Sequence, residues 1–411
     1  MPTTDRATCL ARDRSDPLGP VRERFVIPDG LIYLDGNSLG ALPKQTPGRI
    51  ARVVEEEWGQ GLVRSWLDSQ WMEAPRRIGA KLATMVGAGD DEVIVAESTS
   101  VCLFKILCAA LAMRPGRSIV LSEEANFHSD LYVAAAAARL SGGGVEVVPR
   151  AQLRDELDDT VAVLLLTHVD YRTGFMHDMA ALSAAAHETG ALAVWDLCHS
   201  VAAVPLQLNA DGADMAVGCG YKYLNGGPGA PAFLYVRAGL HEGLRNPVPG
   251  WLGHAEPFAF EPDFRPSSGI TSMITGSPHI LQLTSLESAV DLWLEVDMTA
   301  VRAKSVQLTE TFIDLVETRC QGMGFELASP REAASRGSQV SFSHAQGYGI
   351  ARALIERGVV GDFRSPDVCR FGFAPLYVRH VDVWDAVEQL HDVMTTGAYR
   401  DPRFSEMAEI T

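Results

Sequence analysis

Residues 195–234 read WDLCHSVAAVPLQLNADGADMAVGCGYKYLNGGPGAPAFL, and this stretch decides the fold. Two short apolar runs, residues 191–195 and 215–218, are typical of buried strands. A polar group follows each of them: Asp196 after the first run and Lys222 after the second. In open α/β sheets, ligands bind outside the carboxyl ends of the strands. The stretch therefore predicts an α/β sheet with a binding site at the ends of these two strands.

Lys222 is one of only five lysines in the chain, and it stands between two tyrosines, ahead of the glycine-rich segment 226–229. A lysine amine and a carboxylate on adjacent strand ends suit pyridoxal phosphate (PLP). The amine forms an imine with the aldehyde, and the carboxylate pairs with the protonated pyridine nitrogen. Partial desolvation and a neighbouring cation would make the amine a nucleophile near neutral pH. The alternative interpretation is a surface lysine and an N-capping aspartate after a strand.

Composition narrows the class of protein. The chain has 411 residues, 47% of them hydrophobic, which is enough for one large domain and a smaller one. A net charge of −17 without Lys/Arg runs argues against nucleic-acid binding. Seven cysteines without CxxC spacing predict reduced thiols in the cytoplasm. Because the sequence lacks a signal-like N-terminus and any apolar run of about 18 residues, we expect neither secretion nor membrane insertion.

The rest of the chain alternates predicted strands and helices. Apolar runs predict strands near 93–96, 118–121, 145–148, 161–166, 228–236, 339–343 and 369–374. Helical patterns cover 46–60, 74–87, 101–112, 131–140, 279–296, 300–322, 347–357 and 382–396. This βαβ rhythm predicts a mostly parallel sheet covered on both faces. We expect an N-terminal arm over 1–45, a large domain over 46–300 and a small α+β C-terminal domain over 301–411.

Three further segments are candidates for the site. Residues 97–100 read ESTS and open an apolar helix, where hydroxyls and free amides suit a phosphate, although an ordinary N-cap is the alternative. Phe127 follows a predicted strand and could stack on a planar ring or belong to the core. Residues 246–276 are irregular and rich in Pro, Gly and Phe, which favours a functional loop or an interface. No metal-ligand spacing such as HExxH occurs, so no metal site is predicted.

Seven motifs spread over most of the chain closely resemble those of bacterial kynureninases. They are YLDGNSLGALP (33–43), ESTSVCLFK (97–105), FHSD (127–130), THVDYRTG (167–174), GCGYKYLNGGPG (218–229), PGWLGH (249–254) and RFGFAPLY (370–377). The resemblance implies the PLP-dependent fold type I, with a mostly parallel seven-stranded sheet flanked by helices and a small C-terminal domain. It further implies a homodimer with shared active sites. The implied reaction is hydrolysis of L-kynurenine, or its 3-hydroxy form, to anthranilate or 3-hydroxyanthranilate and L-alanine, in tryptophan catabolism.

The same resemblance assigns roles to individual residues. It makes Lys222 the imine lysine that takes the α proton, Asp196 the pyridinium partner, and His199 a neighbour that steadies this aspartate. Tyr221 would protonate the β carbon, and Arg370 would bind the substrate carboxylate, a bidentate task that suits arginine. The other residues that it implies at the cofactor are Phe127 on the ring, Asp130 and Asp170 near the ring, Thr99, Ser100 and Tyr221 at cofactor or phosphate, and Trp251 and Ser277 from the partner subunit. Trp66 and Ser277 would border the aryl group of the substrate.

Four positions depart from the family pattern, and rival functions stay open. The departures are Cys102 and Asp170 where Asn is common, Cys198 where Ala is common, and Gly220 where Thr or Ser is common. Of these, Asp170 would add a second negative charge near the ring. One rival is a related enzyme that acts on a substituted kynurenine in secondary metabolism. Others are a PLP-dependent C–S lyase or desulfurase, for which Cys198 is the candidate thiol, an aminotransferase, and a non-catalytic scaffold protein.

Overall fold

A computed structural model describes residues 4–404. Its strands in chain order are β1 (Phe25–Val26), β2 (Ile32–Tyr33), β3 (Leu42–Pro43), β4 (Val93–Val95), β5 (Ile119–Glu123), β6 (Gly144–Val148), β7 (Val161–Thr167), β8 (Leu192–Asp196), β9 (Met215–Cys219), β10 (Ala232–Val236), β11 (Glu326–Leu327), β12 (Gln339–Ser343), β13 (Val359–Val360), β14 (Asp362–Arg364) and β15 (Val368–Gly372). Its α-helices are α1 (Arg6–Ser15), α2 (Thr46–Arg52), α3 (Ser65–Asp68), α4 (Ala74–Val86), α5 (Thr99–Ala112), α6 (His128–Leu140), α7 (Met179–Thr189), α8 (Ile280–Trp293), α9 (Met298–Arg319), α10 (Gly347–Glu356) and α11 (His380–Thr396).

The central layer is a seven-stranded sheet with the order β4-β10-β9-β8-β7-β5-β6. The neighbours from β6 to β9 are parallel, whereas β10 pairs antiparallel with both β9 and β4. Along β8, Ala193 and Trp195 enter one hydrophobic core, while Leu192 and Val194 enter a second one on the opposite face. Burial on both faces explains why these strands are continuous apolar runs. The predicted mostly parallel sheet is confirmed.

A second, antiparallel sheet has the order β11-β12-β15-β14. Phe312 of α9 packs against Phe342, Phe371 and Phe373, which joins the helix to this sheet. The N-terminal segment is tied to the same region, because β2 pairs parallel with β13 and Asp35 bridges to Gly372. The polar loop after β2 therefore lies against β15, although the two are distant in sequence.

The segment after α2 differs from the predicted helix over 46–60. The α-helix ends at Arg52 and continues as a π-helix over Val53–Gly61. One physical reason lies at Glu57, whose carbonyl accepts a hydrogen bond of 2.5 Å from the Ser65 hydroxyl and whose carboxylate accepts one of 2.7 Å from the Trp71 indole. Both bonds connect the π-helix to the residues that follow it.

Residues 246–276 are irregular apart from two short 3₁₀ turns, Trp251–Gly253 and Gly269–Met273. Within residues 4–404, no helix combines the length and the apolar character needed to cross a membrane.

Candidate active site

Asp196 and Lys222 meet at the carboxyl edge of the central sheet. Asp196 is the last residue of β8 and stands opposite Val217 of β9, while Lys222 lies three residues beyond the end of β9. The two strands are parallel neighbours, so their carboxyl ends deliver both side chains to one place. Asp196 is buried, and its Oδ1 accepts a hydrogen bond of 2.7 Å from the Cys198 amide.

His199 holds the amine of Lys222. The Nζ of Lys222 lies 2.9 Å from Nε2 of His199, and Nδ1 of His199 lies 3.1 Å from Oε1 of Gln339. The Gln339 amide nitrogen donates to the carbonyls of Asp170 and Tyr171, so its oxygen faces the imidazole. This arrangement assigns the proton to Nδ1 and leaves Nε2 as the acceptor for Lys222.

The same contacts keep this imidazole neutral. Burial, followed by the positive charges of Lys222 and Arg370, lowers the pKa of His199 well below its usual value. His199 therefore contacts Lys222 in this structure, whereas the family resemblance pairs it with Asp196. The reason is local: His199 sits three residues past the end of β8, in the turn that faces the end of β9.

A second carboxyl group stands behind Asp196. Asp130, in the first turn of α6, is buried, and its Oδ2 accepts hydrogen bonds from the side chains of Thr167 (3.4 Å) and Asn126 (3.5 Å). Burial, and then repulsion from and hydrogen bonding to Asp196, raises the pKa of Asp130 well above its usual range. The raised pKa favours the protonated form of Asp130, which can donate to the Asp196 carboxylate.

The start of α5 and the residue before α6 provide two more parts of the site. Ser98 caps α5, since its hydroxyl accepts from the Val101 amide at 3.4 Å, and the amides of Thr99 and Ser100 remain at the positive end of a 14-residue helix. Phe127 is half-buried at the start of α6, with its ring 5.1 Å from that of Tyr171. An anion and a planar ring are the ligands that these groups suit.

Arg370 is buried on β15, and most of its donors are engaged. Its Nε donates to Oδ1 of Asp362 at 2.7 Å, and its Nη2 donates to Oδ2 of the same carboxylate. Nη2 also donates to the Ser38 hydroxyl at 2.7 Å, and Nη1 donates to the Tyr171 carbonyl at 2.6 Å. These bonds use four of the five guanidinium hydrogens and fix the plane of the group. Asp362 thus orients Arg370. Ser38 and Tyr171 accept hydrogen bonds from the edge of the guanidinium group that would also bind a substrate carboxylate.

Asp35 adds an ionisable group beside this pair. Burial and the neighbouring charge of Asp362 raise its pKa to about 7, while the positive charges of Arg370 and Arg364 and a hydrogen bond from Ser38 act in the opposite direction. The cluster around Arg370 therefore gains a negative charge near neutral pH.

Tyr221 and Cys198 are two ionisable side chains beside the site whose pKa values are raised. Burial raises the pKa of the Tyr221 phenol above its usual value, so the phenol is protonated at neutral pH. Hydrogen bonding to the Cys219 thiol, together with burial, holds the pKa of Cys198 well above its usual range. A buried, protonated thiol is a poor nucleophile, so Cys198 does not fit the reactive cysteine of a desulfurase.

Three predicted site residues lie on other elements of the chain. Trp66 is on α3, and its ring packs edge-on against Trp71 at 5.5 Å. Trp251 is 41% exposed and packs against Phe258, and Ser277 is exposed in the segment before α8. Trp66 is half-buried, whereas Trp251 and Ser277 are exposed.

The departures from the family pattern have local explanations. Oδ1 of Asp170 accepts from the amides of Arg172 (3.1 Å) and Thr173 (2.5 Å), so this oxygen closes a turn. A Cβ at Gly220 would stand 2.6 Å from the Pro231 carbonyl, so the packing has no room for the hydroxyl residue of the family. Cys102 is buried in α5, and burial raises its pKa to about 12.

Sequence reasoning missed Gln339, Ser38 and Asp362. Gln339 lies more than a hundred residues from Lys222, and no spacing connects the two. Ser38 lies within the motif at residues 33–43, to which the resemblance assigned no site residue. Asp362 stands directly opposite Arg370 in the β14–β15 pair. The signal available in the sequence was the short separation of the triplets DFR (362–364) and VCR (368–370), which suits an antiparallel pair.

The donor set fits PLP. Lys222 provides an amine with a neutral acceptor beside it, Asp196 provides a carboxylate at a strand end, and the start of α5 provides amides and hydroxyls. These groups match an aldehyde, a pyridine nitrogen and a phosphate, respectively. The carboxylate, the amine and the helix start must lie around one edge of the sheet. They do, because they follow β8, β9 and β4, respectively.

Comparison with known proteins agrees with this assignment. A family model described as the kynureninase C-terminal domain matches residues 301–390. The chain is 48% identical to a kynureninase from Burkholderia mallei (strain SAVP1), across 99% of both chains. It is 46% identical to a kynureninase from Pseudomonas fluorescens, across 99% of this chain and 100% of that relative.

Solved structures of other enzymes share the fold. An apo cysteine desulfurase from Thermococcus onnurineus NA1 superposes with a TM-score of 0.78 at 17% identity, covering 92% of this chain and 98% of that one. A C-DES mutant with glycine covalently linked to its PLP cofactor gives a TM-score of 0.79 at 15% identity, covering 90% and 99%. Identities this low show the shared fold alone.

Proposed function

This chain belongs to the kynureninase family, and from that premise we propose how its residues carry out the PLP-dependent hydrolysis of L-kynurenine to anthranilate and L-alanine. The single observation that carries the proposal is the meeting of Lys222, His199 and Asp196 at the ends of β8 and β9. A lysine amine for the imine and a carboxylate for the pyridine nitrogen are the groups that PLP chemistry needs.

PLP, when bound, supplies an electron sink for the charge that develops as a bond at the substrate α carbon breaks. Nζ of Lys222 would hold the aldehyde of PLP, and the free amine would move the substrate α proton. Nε2 of His199 accepts a hydrogen bond from this amine and so orients it in the site. The Asp196 carboxylate, with Asp130 behind it, would pair with the pyridine nitrogen.

Water must add to the γ carbonyl before the bond between the β and γ carbons breaks. The alanine fragment then needs a proton at its β carbon, and the Tyr221 phenol is our assignment for the donor. The position of Tyr221 directly before Lys222 supports it. Burial raises the pKa of this phenol, which keeps it protonated but makes it a weaker acid.

Arg370 is our assignment for the substrate carboxylate. Its fixed plane and its edge toward Ser38 and Tyr171 support this role, since a carboxylate can replace the neutral oxygens there with charge-assisted bonds. Phe127 would stack on the ring of PLP, and the amides of Thr99 and Ser100 would hold its phosphate, which the positive end of α5 supports. We expect Asp170 to shape the wall of the site through its turn.

We assign the aryl end of the substrate to Trp66 and Ser277, and both kynurenine and 3-hydroxykynurenine fit the proposal. Trp66→Phe keeps an apolar ring but shortens it, so we expect the ratio of kcat/KM for the two substrates to change at least threefold. Trp384→Phe, a tryptophan on α11 beside Arg319, is the matched control and should leave this ratio unchanged. An unchanged ratio in the Trp66 variant would remove this residue from the aryl site.

We also propose a homodimer in which Trp251 and Ser277 complete the phosphate site of the partner. Exposed apolar side chains on the two segments that carry Trp66 and Trp251 support it: Trp58, Leu62, Val63, Leu67, Phe258 and Phe260. Exposed apolar patches of this kind mark association surfaces. A cytoplasmic location is supported by the seven cysteines, each of which is a free thiol.

The deciding experiment incubates the PLP-loaded protein with L-kynurenine and, separately, with 3-hydroxy-L-kynurenine, and follows the aromatic amine and alanine together. Equal molar amounts of both products are expected. Lys222→Ala should bind PLP weakly and show no turnover. Lys44→Ala, which changes an exposed lysine, should behave as the wild type.

Other outcomes would overturn the proposal in distinct ways. Turnover only of ring-substituted kynurenines would indicate the secondary-metabolism enzyme. Sulfide released from cysteine without any aromatic amine would indicate a desulfurase. Ordinary turnover by Lys222→Ala would remove the assignment of the lysine itself.

A further inference from the structure

Lys105 is a buried lysine with no part in the mechanism above. It lies on α5, and its side chain is 0% exposed. Its Nζ donates to Oε2 of Glu97 at 2.9 Å, to the Thr275 hydroxyl at 3.2 Å and to the Met273 carbonyl. An ammonium group has three hydrogens, so these three acceptors satisfy it completely.

These acceptors come from two segments that are distant in sequence. Glu97 stands two residues before Thr99, at the opening of α5. Met273 and Thr275 stand just before Ser277. Glu97, Thr275 and Ser277 also line one cavity of about 240 Å³, so the two segments face each other. One ammonium group therefore ties the start of α5 to the end of the 246–276 loop.

The contacts continue from Thr275 to the other end of the loop. The Thr275 hydroxyl donates to the Val248 carbonyl at 3.0 Å, which leaves its lone pairs for Lys105. A Cβ at Gly250 would collide with the Thr275 carbonyl, so the backbone passes closely there. Trp251 follows directly. Both predicted phosphate residues of the loop, Trp251 and Ser277, are thus anchored within a few residues of the same ammonium.

Burying a charged group costs free energy, so a gain in stability does not explain why Lys105 is buried here. An apolar side chain of similar volume is often neutral or stabilising in place of a buried ion pair, whereas an ion pair fixes one geometry. A single fully satisfied ammonium between two irregular segments suits that second purpose, because its three directed bonds hold the segments in one relative position.

We propose that Lys105 is a positioning residue of the cofactor site, whose ammonium sets the loop carrying Trp251 and Ser277 against the opening of α5. The inference rests on the proposed function, which gives this loop its part at the partner's phosphate. In the dimer, one Lys105 then acts on both sites, since it holds the helix start of its own site and the loop that completes the other.

The test compares Lys105→Met with Lys304→Met. Lys304 is the matched control: it is also buried, with its Nζ 2.7 Å from Oδ2 of Asp16 and 2.6 Å from the Pro375 carbonyl, and it contacts neither segment of the site. For each variant, absorbance titration of the apo protein gives the dissociation constant of PLP, and a thermal melt of the apo protein gives its stability.

We expect both variants to melt earlier and only Lys105→Met to lose PLP affinity, by at least tenfold. Lys105→Arg, which keeps the charge, should recover part of this loss. Wild-type PLP affinity in Lys105→Met would reduce Lys105 to a structural residue and overturn the inference.

A milder variant keeps the test decisive if Lys105→Met does not fold. Thr275→Val removes the hydroxyl between Lys105 and Val248 while Glu97 stays paired, and it should weaken PLP binding several-fold. Unchanged PLP binding in both Thr275→Val and Lys105→Arg would contradict the inference. PLP affinity is read without substrate, so these outcomes are separate from a failure of the wild type to hydrolyse kynurenine.

Discussion

At the scale of single residues, the fold shifts the pKa of buried carboxyl groups around the site. Two carboxyl groups stand together at Asp130 and Asp196, and burial raises the pKa of the first, which favours its protonated form beside the second. Two further carboxyl groups stand at Asp35 and Asp362, and burial moves the titration of Asp35 into the neutral range. One pair serves the cofactor end of the site and the other surrounds Arg370.

Asp130→Asn should preserve the site, because the amide nitrogen can replace the carboxyl hydrogen as donor to Asp196. Asp130→Ala removes the donor and leaves Asp196 without its buried partner, which typically costs about 1–3 kcal/mol. We expect PLP affinity to fall roughly tenfold in the alanine variant and by less than threefold in the asparagine variant, as measured by absorbance titration. Equal losses in the two variants would contradict the neutral state of Asp130.

Asp35 should make substrate binding depend on pH. Its pKa of about 7 means that the carboxyl loses its proton as the pH rises through neutrality, which places a negative charge beside Arg370. The groups around it are Asp362, Arg364, Ser38, Tyr33 and Tyr223. Because like charges repel, KM for kynurenine should rise severalfold between pH 6 and pH 8.5.

Asp35→Asn carries no charge at any of these pH values, so it isolates this effect. Its KM should stay near the low-pH value of the wild type across the range. If KM of the Asp35→Asn variant rises with pH as steeply as KM of the wild type, the titration belongs to another group, such as the substrate amine.

At the scale of elements, the turn between β9 and β10 is packed too closely for a side chain at Gly220. Gly220→Ser would place a Cβ 2.6 Å from the Pro231 carbonyl and 3.0 Å from Leu286, directly before Tyr221 and Lys222. Overpacking of this kind costs about 1–3 kcal/mol. We expect a lower thermal midpoint together with weaker PLP binding, because the lysine turn must shift.

Gly239→Ser is the control for that substitution. Gly239 is exposed in a 3₁₀ turn, and a Cβ there meets nothing within 4 Å. Its thermal midpoint and PLP affinity should match those of the wild type. If Gly220→Ser behaved like this control, the turn would have more freedom than its packing indicates.

At the scale of the whole molecule, we expect the exposed apolar segment after the π-helix to form part of the dimer interface. Val63 and Leu67 are 77% and 78% exposed. Leu67→Glu would put a charge into an apolar interface, where an unpaired charge is costly. In size-exclusion chromatography with light scattering, we expect the wild type to be a dimer and Leu67→Glu to be largely monomeric, with reduced PLP retention.

Leu140→Glu provides the comparison, because Leu140 is 72% exposed at the end of α6, on a different element from the segments that carry Trp66 and Trp251. It should leave the molecular mass unchanged. A dimer that survives Leu67→Glu, or a wild-type monomer, would contradict the proposed interface.

The sequence by itself determined the parallel sheet and the placement of Asp196 and Lys222 near the ends of neighbouring strands. These depend on local signals: apolar runs of strand length, a polar residue at each strand end, and the rule that parallel strands end at one edge. The family motifs added the cofactor and the reaction, because they lie within short contiguous strings.

Only the tertiary structure decided which groups support those residues. Gln339 reaches His199, Asp362 and Ser38 hold Arg370, and Lys105 joins the start of α5 to the loop before Ser277. Each contact links segments that approach only when β2, β12, β14 and β15 are assembled or when the loop folds back onto α5. Periodicity reports the environment of a residue along its own element, and it carries no information on which distant partner fills that environment.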